Sequence, residues 1–305
     1  MIRLWPHDDS VEWLAPVDFV LSLAVVEAVA QTRPPRVLEV GVWKGGWSLT
    51  LAVNCPSAVF TGIDPYPGSF APVRERLLSS SQRVGGRFHL LESWAELDSE
   101  LIGMTSGFDV IHLDGEHTEP AMAQDLTRAA GVLAPDGVII VDDIAHPYFP
   151  GIASATYRFL DEQGFAVFLY SEHKAYLARR QFHAGWLECV RAMLAEGPLI
   201  VERHFQEKDV PPPAYVQLPD IGGHPLLLCV HPANHALALA MLPPSPEAPP
   251  DAAPGVPQIS TEESLTALRH ERDDLAARVR DLVGSRSWRS TAWLRAVREL
   301  FGRGA

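Results

Sequence analysis

Short apolar runs alternate with amphipathic stretches between about residues 34 and 180. Apolar runs of roughly four to eight residues indicate buried strands, and apolar positions recurring every three or four residues indicate helices. This alternation is typical of βα units in a parallel sheet. The predicted strands are 36–40, 58–63, 87–91, 109–113, 138–141, 166–170 and 175–178, and the predicted helices are 17–30, 46–53, 70–79 and 119–132. Because only residues 171–174 join the last two strands, we expect an antiparallel hairpin at the sheet edge.

The pattern changes after residue 180. We expect a helix over 182–196 and strands at 199–203 and 226–230, in a small extension that is either a cap over a binding site or a contact between copies of the chain. A stretch rich in Pro and Ala then indicates a linker. The predicted organisation is a main α/β domain 1–180, an α+β extension 181–242, a linker 243–260 and a helical tail 261–305.

The tail combines a heptad-like pattern with an aromatic and basic end. Its apolar residues recur with 3-4 spacing, interrupted by Arg272, which predicts a short coiled-coil helix. These residues are Leu265, Leu268, Leu275, Val279 and Leu282. The end contains Trp288, Trp293, Phe301, Arg286, Arg289, Arg295, Arg298 and Arg303. Arginines interleaved with tryptophans suit an anionic membrane surface or a partner protein, and the alternative is a tail that only aids solubility.

Charge and cysteine content limit the classes of partner and compartment. A net charge of −13 argues against a nucleic-acid partner, because neutralising phosphates needs a basic surface. Cys55, Cys189 and Cys229 are scattered and form no metal-binding pair, which favours a reducing compartment. The first ten residues lack a signal-peptide pattern, and the apolar stretch 17–30 is too short to span a bilayer. We therefore expect a cytoplasmic protein, peripheral to the inner face of the membrane where the tail binds lipid.

A glycine-containing turn follows the first predicted strand. Glu39, Gly41 and Gly45 have the spacing Glu-x-Gly-x-x-x-Gly and lead into a helix. Glycines let a ligand approach the backbone closely, and free amides at a helix start favour a carboxylate or phosphate. The spacing differs from the GxGxxG of dinucleotide sites, and Glu39 suits an ammonium group better than a pyrophosphate. The turn therefore predicts a nucleoside ligand, the alternative being an ordinary βα turn.

The next two strand ends offer further nucleoside contacts. Asp64 follows the second strand, where doubly wound folds place an acid that binds ribose hydroxyls. Alternatively, Asp64 forms the turn before Pro65. Ser93 and Trp94 follow the third strand, where we expect them to flank an adenine ring, although Trp94 suits the core equally well.

Three carboxylates follow the fourth and fifth strands, Asp114 after one and Asp142 and Asp143 after the other. Parallel strands deliver their ends to one edge of the sheet, where α/β proteins bind ligands. Oxygen donors gathered there suit Mg²⁺, Mn²⁺ or Ca²⁺, whereas a single Asp commonly caps a helix. His117 is placed to take a proton from an attacking hydroxyl, the alternative being an ordinary histidine at a helix start.

Jointly, these motifs resemble the class I S-adenosylmethionine-dependent methyltransferases. More narrowly, they resemble the branch of macrolide-sugar and rhamnosyl O-methyltransferases and cephalosporin-hydroxylase-like proteins, over roughly residues 33–180. The resemblance implies a Rossmann-like sheet of parallel strands closed by an antiparallel hairpin, with S-adenosylmethionine and Mg²⁺ or Mn²⁺ as cofactors. The expected sites are Glu39, Gly41, Gly45, Asp64, Ser93, Trp94 and Asp114 for S-adenosylmethionine, Asp114, Asp142 and Asp143 for the metal, and His117 as the base. Some relatives have Glu-Asp where this chain has Asp142-Asp143, and the shorter first carboxylate would move the metal or weaken its binding.

The expected reaction is methyl transfer to a hydroxyl, a weak acid that a divalent ion and a base would activate. A vicinal diol, as in sugars and catechols, would chelate the ion. Residues 285–295 resemble a segment that follows short coiled coils in bacterial surface-glycan enzymes, which implies a sugar or glycolipid acceptor and contact with a membrane or a glycan-assembly protein. Trp186 and His204 are candidate acceptor contacts, and a homo-oligomer stays open.

Three alternatives compete with this interpretation. A nicotinamide dehydrogenase would share the sheet and Asp64 but not the acidic cluster. A metal-dependent hydrolase or hydroxylase-like enzyme would use the three carboxylates and leave Glu39 and Asp64 without a purpose. A non-catalytic scaffold of a glycan-assembly complex would bind neither metal nor S-adenosylmethionine.

Overall fold

A computed structural model of the chain describes most of its first 230 residues. The described ranges are 2–3, 16–83, 88–100, 107–171, 173–195, 199–203, 206–210, 214–221 and 223–230. They belong to the first of two units into which the chain divides, Met1–Pro243. The second unit, Pro244–Ala305, lies outside the described residues, as do the predicted linker, coiled coil and basic tail.

The strands form a large central sheet and a small second sheet. In chain order they are β1 (Ile2–Arg3), β2 (Arg36–Val40), β3 (Val59–Ile63), β4 (Phe88–Leu91), β5 (Phe108–Leu113), β6 (Leu133–Val141), β7 (Phe165–Tyr170), β8 (Ala175–Arg179), β9 (Leu199–Arg203), β10 (Gln206–Val210), β11 (Ala214–Ile221) and β12 (His224–Val230). The nine-stranded central sheet has the order β11-β12-β7-β8-β6-β5-β2-β3-β4, and the second sheet has the order β1-β9-β10. Strands β2 to β6 are parallel, and β8 is antiparallel to both of its neighbours, β6 and β7.

Helices cover both faces of the central sheet. They are α1 (Pro16–Ala30), α2 (Gly46–Asn54), α3 (Ala71–Arg83), α4 (Trp94–Glu100), α5 (Glu119–Val132), α6 (Pro150–Gln163) and α7 (Arg180–Ala195), with a 3₁₀ turn at Gly68–Phe70. Val37 and Leu38 of β2 belong to separate hydrophobic clusters because successive strand residues point to opposite faces. Residues of α1, α2 and α7 complete the first cluster, and residues of α5 and α6 complete the second. None of the described helices combines the length and hydrophobicity needed to cross a membrane.

The parallel βα sheet and the hairpin agree with the prediction, but two elements extend the pattern. Helix α6, which the sequence analysis did not predict, begins at Pro150 and ends before Gly164, whose φ is +70°. Both are ordinary helix-boundary residues. Strand β12 pairs in parallel with β7, and β11 continues the sheet beyond it. The β7–β8 hairpin therefore lies inside the sheet instead of at its edge.

Candidate active site

One cavity of about 570 Å³ opens at the carboxyl ends of β2, β5 and β6. Its size is within the usual range for a small-molecule site. Its walls come from the glycine turn, the strand ends, the start of α1 and the turn between β7 and β8. The lining residues are Asp18, Glu39, Gly41, Val42, Trp43, Lys44, Gly46, Trp47, His112, Asp114, His117, Asp142, Asp143, His146, Phe149, His173 and Lys174.

A side chain at either of the two predicted glycines would clash with a neighbour, and the neighbour differs between them. Gly41 has a φ of +83°, and a Cβ there would lie 1.9 Å from the main-chain oxygen of Asp114. The glycine turn therefore touches the loop that carries the first carboxylate. Gly45 has a φ of +76° and precedes α2, and a Cβ there would lie 2.4 Å from Leu77 Cδ1 in α3. Gly41 lies in the cavity wall, whereas Gly45 packs against a helix.

Glu39 lies on the cavity floor and is almost fully buried. Its Oε1 lies 3.3 Å from Nδ1 of His112, and Oε2 accepts a hydrogen bond from Ser48 Oγ. Burial raises the pKa of Glu39, although the contacts with His112 and Ser48 partly oppose the shift. Because both oxygens are bound by the protein, a ligand ammonium would meet a carboxylate that is already held in place.

His112 and Lys174 extend this contact into a buried polar network that the sequence analysis missed. Nζ of Lys174 lies 2.9 Å from Nε2 of His112 and also pairs with Oδ2 of Asp142. Burial alone would lower the pKa of Lys174, but Asp142 and Asp114 outweigh burial and raise it. The ring of Trp47 stacks on His112 at 4.2 Å. The polar residue His112 near the end of the buried strand β5 was the available signal for this network.

His117 contacts two of the predicted acids, but Asp143 is not in the group of described side chains whose ligand atoms lie within 4.8 Å of one another. Nε2 of His117 lies 3.5 Å from Asp114 Oδ1 and 3.1 Å from Asp143 Oδ2. Hydrogen bonds to these two carboxylates raise the pKa of His117 to about 10. Asp143 has a φ of +52°, and its amide donates to Oδ1 of Asp142 at 2.8 Å. The imidazole therefore bridges two of the three predicted metal ligands.

The donor set at this edge fits a hard divalent cation. Ligand atoms of His112, Asp114 and Asp142 lie within 4.8 Å of one another. His112 already contacts Lys174 and Glu39, so oxygen atoms of the carboxylates are the more available donors. An ion there would compete with Lys174 for Asp142 and with His117 for Asp114.

Three of the predicted nucleoside contacts, Asp64, Ser93 and Trp94, lie outside this lining. Oδ2 of Asp64 accepts hydrogen bonds from the amides of Val42 at 3.1 Å and Trp43 at 2.8 Å, so this carboxylate supports the glycine turn. Nε1 of Trp94 donates to Oδ1 of Asp125 at 2.8 Å, and Ser93 Oγ accepts from an amide of α4. Oδ1 of Asp64 also accepts a hydrogen bond from the amide of Tyr66 at 3.2 Å, and the nucleoside-binding roles of Asp64, Ser93 and Trp94 stay predictions.

Trp186, one of the two candidate acceptor contacts, does not line the cavity. Nε1 of Trp186 donates to the main-chain oxygen of Asp136 at 2.9 Å, and the ring stacks on Phe168. Trp186 lines a separate cavity of about 240 Å³ beside α1 and α7. His204 lies outside the described residues.

Comparison with known proteins gives a family match at this site. Residues 38–144 match the family model described as a methyltransferase domain. The fold is similar to CalS11, a TDP-rhamnose 3'-O-methyltransferase of calicheamicin biosynthesis, with 20% identity, a TM-score of 0.43, and 53% of this chain and 78% of that chain covered. It is also similar to an O-methyltransferase from Bacillus cereus in complex with SAH, with 16% identity, a TM-score of 0.41, and 56% of this chain and 90% of that chain covered. A third similar structure is the O-methyltransferase TomG from Streptomyces achromogenes in complex with SAM, with 18% identity, a TM-score of 0.39, and 56% of this chain and 88% of that chain covered.

A search of curated proteins gave no match. The matched residues 38–144 contain the glycine turn, Asp114, His117, Asp142 and Asp143. The parallel order β4-β3-β2-β5-β6, followed by antiparallel β8, agrees with the Rossmann-like sheet that the motifs implied. Residues 38–144, which carry these motifs, therefore match a methyltransferase domain, in agreement with the resemblance that the motifs predicted.

Proposed function

We propose that the chain is a class I S-adenosylmethionine-dependent methyltransferase that acts on a hydroxyl oxygen of a sugar or sugar conjugate and uses a divalent ion, Mg²⁺ or Mn²⁺. The observation that carries the proposal is that one cavity is lined by Gly41 and by Asp114, Asp142 and His117. A methyl donor at the glycine turn and an oxygen nucleophile at the acid cluster, formed by Asp114, Asp142 and Asp143, would thus occupy the same cavity.

The donor end of the site would be formed by the glycine turn. We assign the methionine part of S-adenosylmethionine to the surface made by Glu39, Gly41 and Gly45. Asp64 supports this turn through the amides of Val42 and Trp43 and would also reach ribose. Adenine would lie towards the start of α4, with Ser93 and Trp94, while Asp114 would border both donor and metal.

The metal would be held by the oxygens of Asp114, Asp142 and Asp143. When bound, a divalent ion supplies a positive charge that lowers the pKa of a coordinated hydroxyl. The chain's own contribution is alignment, because Lys174 and the amide of Asp143 fix the carboxylate of Asp142. The role of His117 as base stays a prediction, since its Nε2 is shared by Asp114 and Asp143.

The wall chemistry supports a polyhydroxylated acceptor. The acid-cluster end of the cavity presents carboxylates and the imidazoles of His117, His146 and His173, beside the buried His112. Phe149 stacks on His146 with ring centroids 4.7 Å apart and adds an apolar surface. Hydroxyl groups donate to carboxylates and accept from imidazoles, and sugar rings also have apolar faces. A role in glycan biosynthesis at the membrane depends on the tail, which lies outside the described residues.

Calorimetric titration of S-adenosylmethionine and MgCl₂ tests the binding part of this proposal. The proteins compared are wild type, Asp64→Ala, Asp142→Asn and, as a control, Asp161→Ala on the exposed side of α6. We expect Asp64→Ala to weaken S-adenosylmethionine binding at least about tenfold and Asp142→Asn to do so for Mg²⁺. The control should bind both like wild type.

Acceptor class is tested by transfer of the tritiated methyl group to TDP-rhamnose, with catechol as the non-sugar diol. Transfer to TDP-rhamnose that EDTA abolishes supports the proposal. Binding of Mg²⁺ without S-adenosylmethionine would instead favour the hydrolase-like alternative. Binding of neither ligand would favour a scaffold and overturn the proposal.

A further inference from the structure

Helix α1 contributes a buried carboxylate to the cavity that the motif analysis did not use. Asp18, in the first turn of α1, is 2% exposed, and its Oδ2 lies 2.8 Å from Nδ1 of His173 in the turn between β7 and β8. Ser22 Oγ and Tyr176 OH donate to the main-chain oxygen of Asp18 at 2.9 and 3.1 Å. The main chain at Asp18 is therefore held by its own helix and by β8, and the carboxylate by its contact with His173.

The imidazole of His173 faces the cavity. Its side chain is 48% exposed and forms part of the lining. A carboxylate at Nδ1 favours the tautomer with its proton on Nδ1, which leaves a lone pair on Nε2. In the described part of the chain, Nε2 of His173 has no hydrogen-bond partner, whereas Nε2 of His117 is shared by two carboxylates. His173 therefore has a ring nitrogen, Nε2, that is open to a ligand.

A second, independent observation concerns the other oxygen of Asp18. Oδ1 is buried and has no hydrogen-bond partner among the described residues. Buried carboxylate oxygens without a partner are costly and uncommon in folded proteins. His173 is therefore the hydrogen-bond partner that the described residues give the carboxylate of Asp18.

The position of this pair matches the acceptor end of the proposed site. Along the carboxyl edge, the order β2-β5-β6-β8 places the glycine turn at one end and His173 beside the other. Three strand spacings separate these ends, or about 14 Å. Asp114 and Asp142 lie at the ends of the two strands between them. A donor bound at β2 would therefore direct its methyl group towards an acceptor that reaches His173.

We propose that His173, oriented by Asp18, is the group that takes the proton from the acceptor hydroxyl. This inference rests on the proposed function and gives His173 the role that the sequence predicted for His117. Asp18 is a positioning residue, because it acts through the imidazole.

The step balances without a further reactant. The acceptor oxygen forms a bond to the methyl carbon while the carbon–sulfur bond breaks, and that electron pair stays on sulfur. The hydroxyl proton moves to Nε2 of His173, which is then an imidazolium paired with Asp18. Release of this proton to water through the open cavity restores the starting state.

Methyl transfer to TDP-rhamnose tests the assignment in His173→Ala, Asp18→Asn and His117→Gln. Exposed His89, which pairs with Glu100 away from the cavity, provides the control His89→Ala. We expect His173→Ala to lower kcat at least about 100-fold with KM changed little, since a general base contributes roughly 10²- to 10⁴-fold. Added imidazole should restore part of that rate, which it would not do for a structural defect.

Asp18→Asn keeps the shape of the side chain but no longer favours the required tautomer. We expect at least about a tenfold loss of kcat, rescue by Asp18→Glu, and unchanged S-adenosylmethionine affinity. In ¹⁵N NMR spectra, His173 should carry its proton on Nδ1 in wild type and lose this preference in Asp18→Asn.

Two results would overturn the inference in distinguishable ways. Transfer by His173→Ala at the wild-type rate, with a large loss in His117→Gln, rejects His173 as the base and leaves the proposed function intact. Binding of S-adenosylmethionine without transfer by wild type to either the sugar nucleotide or catechol rejects the proposed function and the inference with it.

Discussion

At the scale of residues, Lys174 provides a positive charge that the fold itself holds beneath the acid cluster. Burial alone would raise the pKa of Asp142, but Lys174 and His112 outweigh burial and keep it well below its usual range. Asp142 is therefore ionised at neutral pH before any metal arrives. The cost of gathering carboxylates at one edge is reduced by a cation that cannot diffuse away.

Replacing Lys174 by Met should destabilise the protein, because Asp142 would lose its buried partner. Breaking one side of a buried ion pair typically costs about 3–5 kcal/mol. Urea unfolding at neutral pH measures the loss, and Arg158→Met, which breaks the exposed pair with Glu119, is the control at about 0–1 kcal/mol. Adding Asp142→Leu to Lys174→Met should recover part of the stability. Equal losses for the two single variants would contradict the importance of the buried pair.

The imidazole of His117 predicts a pH dependence of stability in the metal-free protein. Its pKa is raised to about 10 in the folded state by hydrogen bonds to Asp114 and Asp143. The stabilisation is therefore complete below the unfolded pKa of about 6.5 and is lost as pH rises through about 10. In EDTA, the Tm difference between wild type and His117→Gln should shrink from pH 6 to pH 10.5. A difference that grows with pH would contradict this linkage.

At the scale of elements, the glycine turn is locked to the loop after β5. A methyl group at Gly41 would lie 1.9 Å from Asp114 O, so Gly41→Ala must move one of two backbone segments that both line the cavity. We expect a loss of more than about 2 kcal/mol in urea unfolding, beyond the cost of the left-handed backbone. Gly164→Ala is a matched control, because its φ is +70° and nothing lies within 4 Å of its Cβ. Similar losses in both variants would show that strain alone, without the clash, explains the effect.

Elements with strong local signals were predictable from the sequence. Strand β2 and helix α5 have the predicted bounds, because each is bordered by recognisable turn or cap residues, such as Thr118 before α5. Strand β10 has the mostly polar sequence QEKDV, and β11 follows three prolines, so a hydrophobic pattern alone does not identify them. Pairing of β12 with β7 joins strands that are far apart along the chain, and no local pattern encodes it.

The residues of the site also divide into those that the sequence predicts and those that only the full fold brings together. The acids at the ends of β5 and β6 were predictable because parallel strand order brings consecutive βα turns to one edge. The contacts of Lys174 with His112 and of His173 with Asp18 join residues 62 and 155 positions apart. Such contacts depend on how the β7–β8 turn packs against α1 and β5, so the full fold is needed to find them.

At the scale of the whole molecule, the chain has a net charge of −13, yet its last twenty residues are basic and aromatic. If this end binds anionic lipid, the full chain should co-sediment with phosphatidylserine-containing vesicles and be released at high salt. Changing the five arginines to serine should abolish sedimentation without affecting S-adenosylmethionine binding. Those arginines are Arg286, Arg289, Arg295, Arg298 and Arg303. Sedimentation that persists in the variant would assign the contact elsewhere.

The strand β12 also decides how the protein can be shortened. Strand β7 has the sequence FAVFLY and is almost entirely buried, with β12 along its outer side. A chain ended after residue 180 would present that side as an uncovered, hydrophobic row of free amides and carbonyls, on which further molecules could add strand by strand. Residues 181–230 thus protect the first 180 residues against self-association. A chain of residues 1–180 should precipitate or form fibrils, whereas a chain that ends at Val230 should stay in solution.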